Sequence, residues 1–325
     1  MIDNFELILS EVKTVGISGH VRPDGDCVGS CMAMYNYLTS YYPTLEVSVI
    51  LEEIPHVFDF LANTDKIQRA ESIPQNKLFD LYIALDCSDG SRLGSAEVFF
   101  KNAKTTICID HHFGKPGFAD YNYIIPDDSS TCELVYNQLP KDRITLPIAE
   151  CLYTGIIHDT GVFQYSCTTA DTMSCAGKLM SLGVNFPKIC DDTYYAKTMT
   201  QNRVMGYVLS NCKSFMDGKI VAAVLTSDEM KTFDAKPKHL EGIVQQLRCT
   251  TGVEVAVFLY QLENGEFKGS TRSTGDVDLT LVTGHFGGGG HKKAAGFSVE
   301  ANDPWSVIDE VIAEVKKQFI TLGIQ

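Results

Sequence analysis

Four short segments of this chain carry acids and imidazoles, and each directly follows an apolar run. His20, Asp24 and Asp26 lie in Gly19-His20-Val21-Arg22-Pro23-Asp24-Gly25-Asp26, after the strand-like Val15-Gly16-Ile17-Ser18. Asp86 ends the run Leu81-Tyr82-Ile83-Ala84-Leu85, and Asp110-His111-His112 ends Thr105-Thr106-Ile107-Cys108-Ile109 before passing into Phe113-Gly114. His158-Asp159-Thr160-Gly161 follows the apolar residues 151–157. An acid at the end of a fully apolar strand is a poor packing choice, because a buried carboxylate is costly unless it is paired or bound to metal. Asp159 closes a helix-like run, where the helix dipole disfavours an anion unless a cation lies nearby.

Together His20, Asp24, Asp26, Asp86, His111 and Asp159 supply two imidazoles and four carboxylates. That set suits a pair of six-coordinate divalent ions better than one tetrahedral zinc. Mn2+ fits it best, since imidazole admits the ion while the carboxylates keep the site hard. Paired ions about 3.5–4 Å apart acidify a water and neutralise phosphate oxygens, so the chemistry expected is metal-assisted phosphoester hydrolysis. Taken singly, Asp24 and Asp26 read equally well as solvated turn residues capping the next helix, and Asp89 reads as a turn or cap.

A further candidate lies near the C-terminus, in residues 284–297. Gly288, Gly289 and Gly290, lacking Cβ atoms, let backbone N–H groups approach an anion, and His291, Lys292 and Lys293 add donors. The spacing is neither a Walker loop nor a dinucleotide fingerprint, and an unspecialised flexible loop is the alternative. Arg272, in Gly269-Ser270-Thr271-Arg272-Ser273, can act as a bidentate phosphate clamp or be an ordinary surface residue.

The elements that must position these groups are legible in the pattern. Apolar runs at 15–18, 47–51, 81–85 and 106–109, separated by helix-like segments, predict a mainly parallel sheet buried on both faces. Ser130-Thr131-Cys132-Glu133 has capping-box spacing and predicts a helix start at Ser130, with further helices from Leu146 to about His158 and from Ala170 to Leu182. Residues 191–212 predict a connecting helix. Beyond it, the turn dipeptides Asp217-Gly218 and Asn264-Gly265 separate β-rich runs at 220–225, 253–260 and 267–271, and Asp303-Pro304 opens an amphipathic helix reaching about Phe319. The fold expected is α/β: a larger domain over 1–190, a helical linker over 191–213, and a smaller α/β domain over 214–325.

At 325 residues the chain is long for one core. A formal charge of −14 argues against gripping long nucleic acid, which needs Lys and Arg against phosphates, but leaves short nucleotides open. No apolar run spans a bilayer, and Met1-Ile2-Asp3-Asn4-Phe5 lacks the basic start of a signal peptide; with eleven cysteines and no Cys-x-x-Cys pair, a cytoplasmic protein with free thiols is expected.

The ordered series His-x-x-Pro-Asp-Gly-Asp, strand-Asp, Asp-His-His, Asp-Thr-Gly and Gly-Gly-Gly-His-x-x-Ala-Ala-Gly resembles the DHH phosphoesterase superfamily with its DHH-associated C-terminal domain, and most of all its stand-alone nanoRNase and pAp phosphatase group. The likeness runs from about residue 14 to about residue 300. It implies that His20, Asp24 and Asp86 hold one Mn2+ and Asp26, Asp86, His111 and Asp159 the other, with Asp86 bridging. It further implies that His112 faces the scissile phosphate, Asp110 orients His111, and Arg272 and His291 bind phosphate, with the active site in a cleft between the domains. Ser129-Ser130-Thr131 matches a helix start near the site, although Asp128 stands where a small residue is usual. The implied substrates are oligoribonucleotides of two to five nucleotides and pAp, with linear pApA and pGpG included, and a homodimer is possible in such a group. Phe163 and Phe286 are candidates for stacking a base or for the core. The competing readings are a cyclic-dinucleotide phosphodiesterase, a manganese inorganic pyrophosphatase, and a non-catalytic RNA-binding module like that of alanyl-tRNA synthetases.

Overall fold

The structure, a computed structural model, describes residues 1–112, 117–126 and 128–324. Phe113 and Gly114 lie outside the described residues. The chain divides into two compact units, Met1–Ala196 and Lys197–Gln325.

In the first unit the elements run α1 (Phe5–Ser10), β1 (Thr14–Ser18), α2 (Gly25–Tyr41), β2 (Glu46–Ile50), β3 (Leu81–Leu85), α3 (Glu97–Asn102), β4 (Thr105–Asp110), β5 (Tyr121–Ile124), α4 (Thr131–Gln138), α5 (Leu146–Asp159), α6 (Ala170–Ser181) and α7 (Phe186–Ile189). The five strands form a parallel sheet in the order β2-β1-β3-β4-β5. Strand β3 is buried along its whole length. Its Leu81, Ile83 and Leu85 join one core with α2, α4 and α5, while Tyr82 and Ala84 join another with α3. Alternate side chains thus feed opposite faces, as both-side burial requires. The strand order turns back between β1 and β3, and open α/β sheets place their sites beyond the carboxyl ends of the strands at such a reversal.

Strand β5 escaped the sequence pattern because its residues are only half-buried or exposed at the sheet edge, so no apolar run marks it. Ser130 caps α4 by accepting from Glu133 N at 3.1 Å. The reciprocal half of the expected capping box is missing, because the Glu133 carboxylate instead accepts from the hydroxyls of Ser129 (2.5 Å) and Thr172 (2.8 Å). The single connecting helix expected over 191–212 is interrupted. Residues Cys190–Tyr195 form a wide π-type turn, and α8 (Met199–Asn211) starts afresh from a Thr198/Gln201 capping box. Val204 and Val208 then bury α8 in a core of the second unit.

The second unit continues with β6 (Lys213–Phe215), β7 (Ile220–Leu225), α9 (Ser227–Thr232), α10 (Ile243–Arg248), β8 (Val255–Gln261), β9 (Phe267–Ser273), α11 (Leu279–Gly284), β10 (Gly289–His291), β11 (Ala294–Val299) and α12 (Pro304–Leu322). Its six strands are ordered β10-β11-β9-β8-β7-β6, antiparallel except for β7 with β8. Helix α12 packs on one face with α11, and α8 and α10 pack on the other. Asp303 caps α12 by accepting from Trp305 N at 3.0 Å, and the helix extends past the expected Phe319 to Leu322.

The glycine-rich segment is not a plain loop. Gly289–His291 adds an edge strand to β11, and a Cβ at Gly290 would stand 2.6 Å from the Ala294 carbonyl at a φ of +144°. Only glycine satisfies both conditions.

Candidate metal centre

Each acid or imidazole singled out in the first unit sits just past the carboxyl end of a strand or at the end of a helix facing those strands. His20 follows β1, Asp86 follows β3, and Asp110 ends β4, with His111 and His112 next. Asp24 is the N-cap of α2 and Asp26 lies in its first turn, while Asp159 is the last residue of α5.

Asp86 occupies the middle. It is 2% exposed, and its backbone φ is +59°, a left-handed conformation that side chains other than glycine adopt at a cost of about 1–2 kcal/mol. Oδ2 lies 3.4 Å from His20 Nε2; Oδ1 lies 3.7 Å from His111 Nε2, 3.5 Å from His112 Nδ1 and 3.2 Å from the Thr131 hydroxyl, which donates to it. One carboxylate therefore addresses both imidazole groups, which is where a bridging ligand would stand.

On one side, His20 Nδ1 lies 2.9 Å from the Val21 carbonyl, which turns Nε2 toward Asp86 and, at 3.5 Å, Asp24 Oδ1. Asp24 Oδ1 also accepts from the backbone N–H groups of Asp26 and Cys27, so it caps α2 while standing beside His20. On the other side, Asp26 is fully buried, and its two oxygens accept from Thr131 N at 2.6 Å and Cys132 N at 2.9 Å, the first N–H groups of α4. Oδ2 remains 3.9 Å from His111 Nε2, and Asp159 Oδ2 approaches the same nitrogen to 3.0 Å. Close helix packing makes this possible. A Cβ at Gly155 of α5 would lie 2.6 Å from Asp26 Oδ1 and 2.2 Å from Cys132 Sγ.

Asp159 is held at the mouth of an unusual turn, in which Gly161, Val162 and Phe163 have φ of +57°, +54° and +64°. A β-branched residue in that region is strained, and strain of this kind collects at functional sites.

Without a cation the cluster holds protons beyond their ordinary affinities. Burial alone would lower the His20 pKa, yet hydrogen bonds to Asp24 and Asp86 outweigh it and push the value up to about 12. His111 is pushed up to about 10 against the same burial by Asp159 and Asp26. Burial raises Asp26 well above the usual carboxylate range, and raises Asp159 to about 6, in each case with a neighbouring carboxylate adding to it. The Asp26 and Asp159 carboxyls would give up such protons to a divalent ion bound beside them.

The donor set fits such ions on a direct structural observation. His111 Nε2 is buried and makes no hydrogen bond, although three carboxylate oxygens surround it within 4 Å. Ligand atoms of Asp26, His111 and Asp159 all lie within 4.8 Å of one another, as do those of Asp86, His111 and His112, and those of His20, Cys27 and Asp86. Cys27 was missed in the sequence; its only signal is adjacency to Asp26, and its thiol is fully buried beneath the His20 backbone.

One expected role is corrected. Asp110 does not orient His111: Asp110 Oδ1 lies 2.8 Å from His112 Nδ1, whereas His111 Nδ1 is 3.3 Å from the Asp128 carbonyl. His112 is 39% exposed, against 15% for His111, and the Asp110 bond raises its pKa. Asp89 is a cap, accepting from Ser91 N at 2.9 Å.

In the second unit Arg272 of β9 and His291 of β10 both pair with Ala294 of β11. Directly opposed residues point to the same face, so the two flank a small side chain in one row. Phe286 stacks on Phe297 at 4.4 Å, and Phe163 packs on Tyr153. Both are tied to cores.

A parallel α/β sheet with a carboxylate–imidazole cluster at its switch point, followed by a mixed sheet with a basic row, defines a two-unit protein of the phosphoesterase type. Residues 14–156 match the DHH family, N-terminal domain, and residues 217–321 match the DHHA1 domain, so the chain joins these two domains. It is 28% identical to the bifunctional oligoribonuclease and PAP phosphatase NrnA of Thermus thermophilus, over 98% of this chain and 94% of that protein. It is 22% identical to the protein of the same name in Bacillus subtilis, over 95% of each. Among solved structures, an exopolyphosphatase-related protein from Bacteroides fragilis superposes with a TM-score of 0.88 at 26% identity, covering 98% of this chain and 96% of that one.

Proposed function

We propose that this protein is a phosphoesterase that uses two divalent ions, Mn2+ in the first instance, to hydrolyse oligoribonucleotides of two to five nucleotides to mononucleotides, and pAp to AMP. The observation that carries the reading is the convergence of His20, His111, His112 and Thr131 on Asp86, with His111 Nε2 buried among carboxylate oxygens and making no hydrogen bond. The names of the Thermus and Bacillus relatives, matched along nearly the whole chain, support the substrate class.

In this reading His20, Asp24 and Asp86 hold one ion, and Asp26, Asp86, His111 and Asp159 the other. When bound, the ions supply an acidified water and neutralise phosphate charge. The chain's own residues do the rest. Thr131 and Cys132 fix the Asp26 carboxylate through their backbone N–H groups. Asp110 occupies His112 Nδ1 and leaves Nε2 to donate a hydrogen bond to a phosphate oxygen, and the same contact raises the pKa of the ring. Arg272 and His291, with the N–H groups of Gly288, Gly289 and Gly290, bind a further phosphate. Among the described residues no helix is long and apolar enough to cross a membrane, and all eleven cysteines are free, which suits a reducing cytoplasm.

The test is to incubate the protein with Mn2+ and, separately, a 5′-phosphorylated RNA dinucleotide, a long RNA, pAp and pyrophosphate, with Asp86→Ala alongside. Rapid dinucleotide cleavage, slower pAp hydrolysis and little pyrophosphate turnover are expected. A preference for pyrophosphate, or activity that survives Asp86→Ala, overturns the reading.

A further inference from the structure

The metal cluster is not alone at the carboxyl ends of the strands. Beside His20, toward β2, lies a recess of about 360 Å3, part of it open solvent. A recess of that size, open to solvent on one side, can take the edge of a planar ring. Val21, Leu51 and Leu93 give it apolar walls, and Glu52, Arg69 and Glu71 give it polar ones. His20 is itself a wall, so one imidazole borders both the recess and the Asp86 cluster.

The polar groups are unequal. Glu71 is engaged, its carboxyl held below the ordinary range by its own backbone N–H and by Ser95. Glu52 is fixed but half-used. Its Oε2 accepts from Arg22 N at 2.8 Å, and among the described residues nothing donates to Oε1. The Arg69 guanidinium forms no hydrogen bond or salt bridge among the described residues. A fixed acceptor and a free bidentate donor thus face one small opening.

Residues next to the lining fix its walls. Arg22, after Val21, has a φ of +57°, a strained conformation for a residue with a Cβ. Gly94, after Leu93, comes so close to Val21 that a Cβ there would lie 2.4 Å from Val21 Cγ1.

We propose that this recess reads the edge of a substrate nucleobase, guanine above the others, while the adjoining phosphate lies at the metal cluster; the inference rests on the phosphoesterase reading above. Guanine carries an acceptor, O6, and two donors, N1–H and N2–H2, side by side on one edge. Arg69 meets O6, and Glu52 Oε1 meets the donors. Adenine offers one donor beside an acceptor on the equivalent edge, and so leaves Glu52 or Arg69 opposed by a like group. A matched hydrogen-bonded edge discriminates by about tenfold or more, and a burial this shallow sits at the low end.

The test uses the full chain with Mn2+ and the 5′-phosphorylated dinucleotides GpG, ApA, CpC and UpU, for wild type, Glu52→Gln and Arg69→Ala. Glu52→Gln keeps an acceptor for Arg22 N, and Arg69 is exposed, so both variants are expected to fold. The wild type should have a KM for GpG about tenfold below that for ApA, and each variant should raise the GpG value until the preference disappears, with the change falling on KM rather than kcat. Calorimetric titration with GMP and AMP reads the recess without turnover. Equal binding of GMP and AMP by the wild type, or variants that weaken every base alike, overturns the recess. Tighter GMP binding that Glu52→Gln abolishes, in a protein that cleaves no dinucleotide, keeps the recess and removes the phosphoesterase reading.

Discussion

Asp86 and His112 illustrate how much of the chemistry is set by single side chains. Asp86 stands in a left-handed conformation, where glycine would be relaxed, because only a carboxylate there reaches His20, His111 and Thr131 together. His112 is directed differently, since Asp110 holds its Nδ1 while the Asp128 carbonyl meets His111 Nδ1. This division makes a sharp expectation for Asp110→Asn. If Asp110 acts only through His112, Mn2+ affinity measured by calorimetry stays unchanged, while kcat falls about 100-fold because the ring loses its fixed orientation and its proton affinity. Were Asp110 instead the support of a metal ligand, Mn2+ affinity itself would fall by about 10–100-fold. The two outcomes are separable in one preparation.

The elements deliver these side chains through close helix packing. Helix α5 must approach α2 and the start of α4 closely enough for the Asp26 carboxylate to lie against its backbone, and Gly155 provides the gap. Gly155→Ala is expected to destabilise the protein by about 1–3 kcal/mol, as overpacking does, and to weaken Mn2+ binding because Asp26 is the displaced neighbour. Gly177→Ala on α6, where nothing lies within 4 Å, should instead stabilise by about 0.5–1 kcal/mol and leave Mn2+ binding untouched. Paired denaturant melts and metal titrations check both, and a neutral Gly155→Ala would refute the packing account. The buried strands were readable because unbroken apolar runs such as Leu81–Leu85 have no other use. Edge strands β5 and β10 were not, since exposed or glycine-rich segments leave no such record. The cluster of acids and imidazoles was readable for a related reason, because acids at strand ends have few structural uses. Hydrogen-bond partners set by register and by distant backbone, such as Asp128 with His111 or Thr131 with Asp26, leave no trace in residue types.

At the scale of the molecule, the chain carries a formal charge of −14, while the proposed substrates are anions. On the proposed reading, bound divalent ions and the Arg272–His291 row would reverse the sign only where phosphates bind. Each nucleotide beyond those few contacts adds charge that meets an acidic surface, so repulsion itself should favour short substrates. The consequence is measurable in the salt dependence. With Mn2+ saturating, kcat/KM should fall steadily from dinucleotides to oligonucleotides of about ten residues, and raising the ionic strength from about 0.01 M to about 0.15 M should narrow that fall. The screening length contracts over this range from about 30 Å to about 8 Å. A protein that grips nucleic acid by cation–phosphate contacts behaves in the opposite way, losing affinity for long strands as salt rises. If the length profile is the same at both ionic strengths, the preference for short RNA is steric and surface charge has no part in it. If long RNA gains more from salt than dinucleotide does, the acidic surface is itself a specificity element.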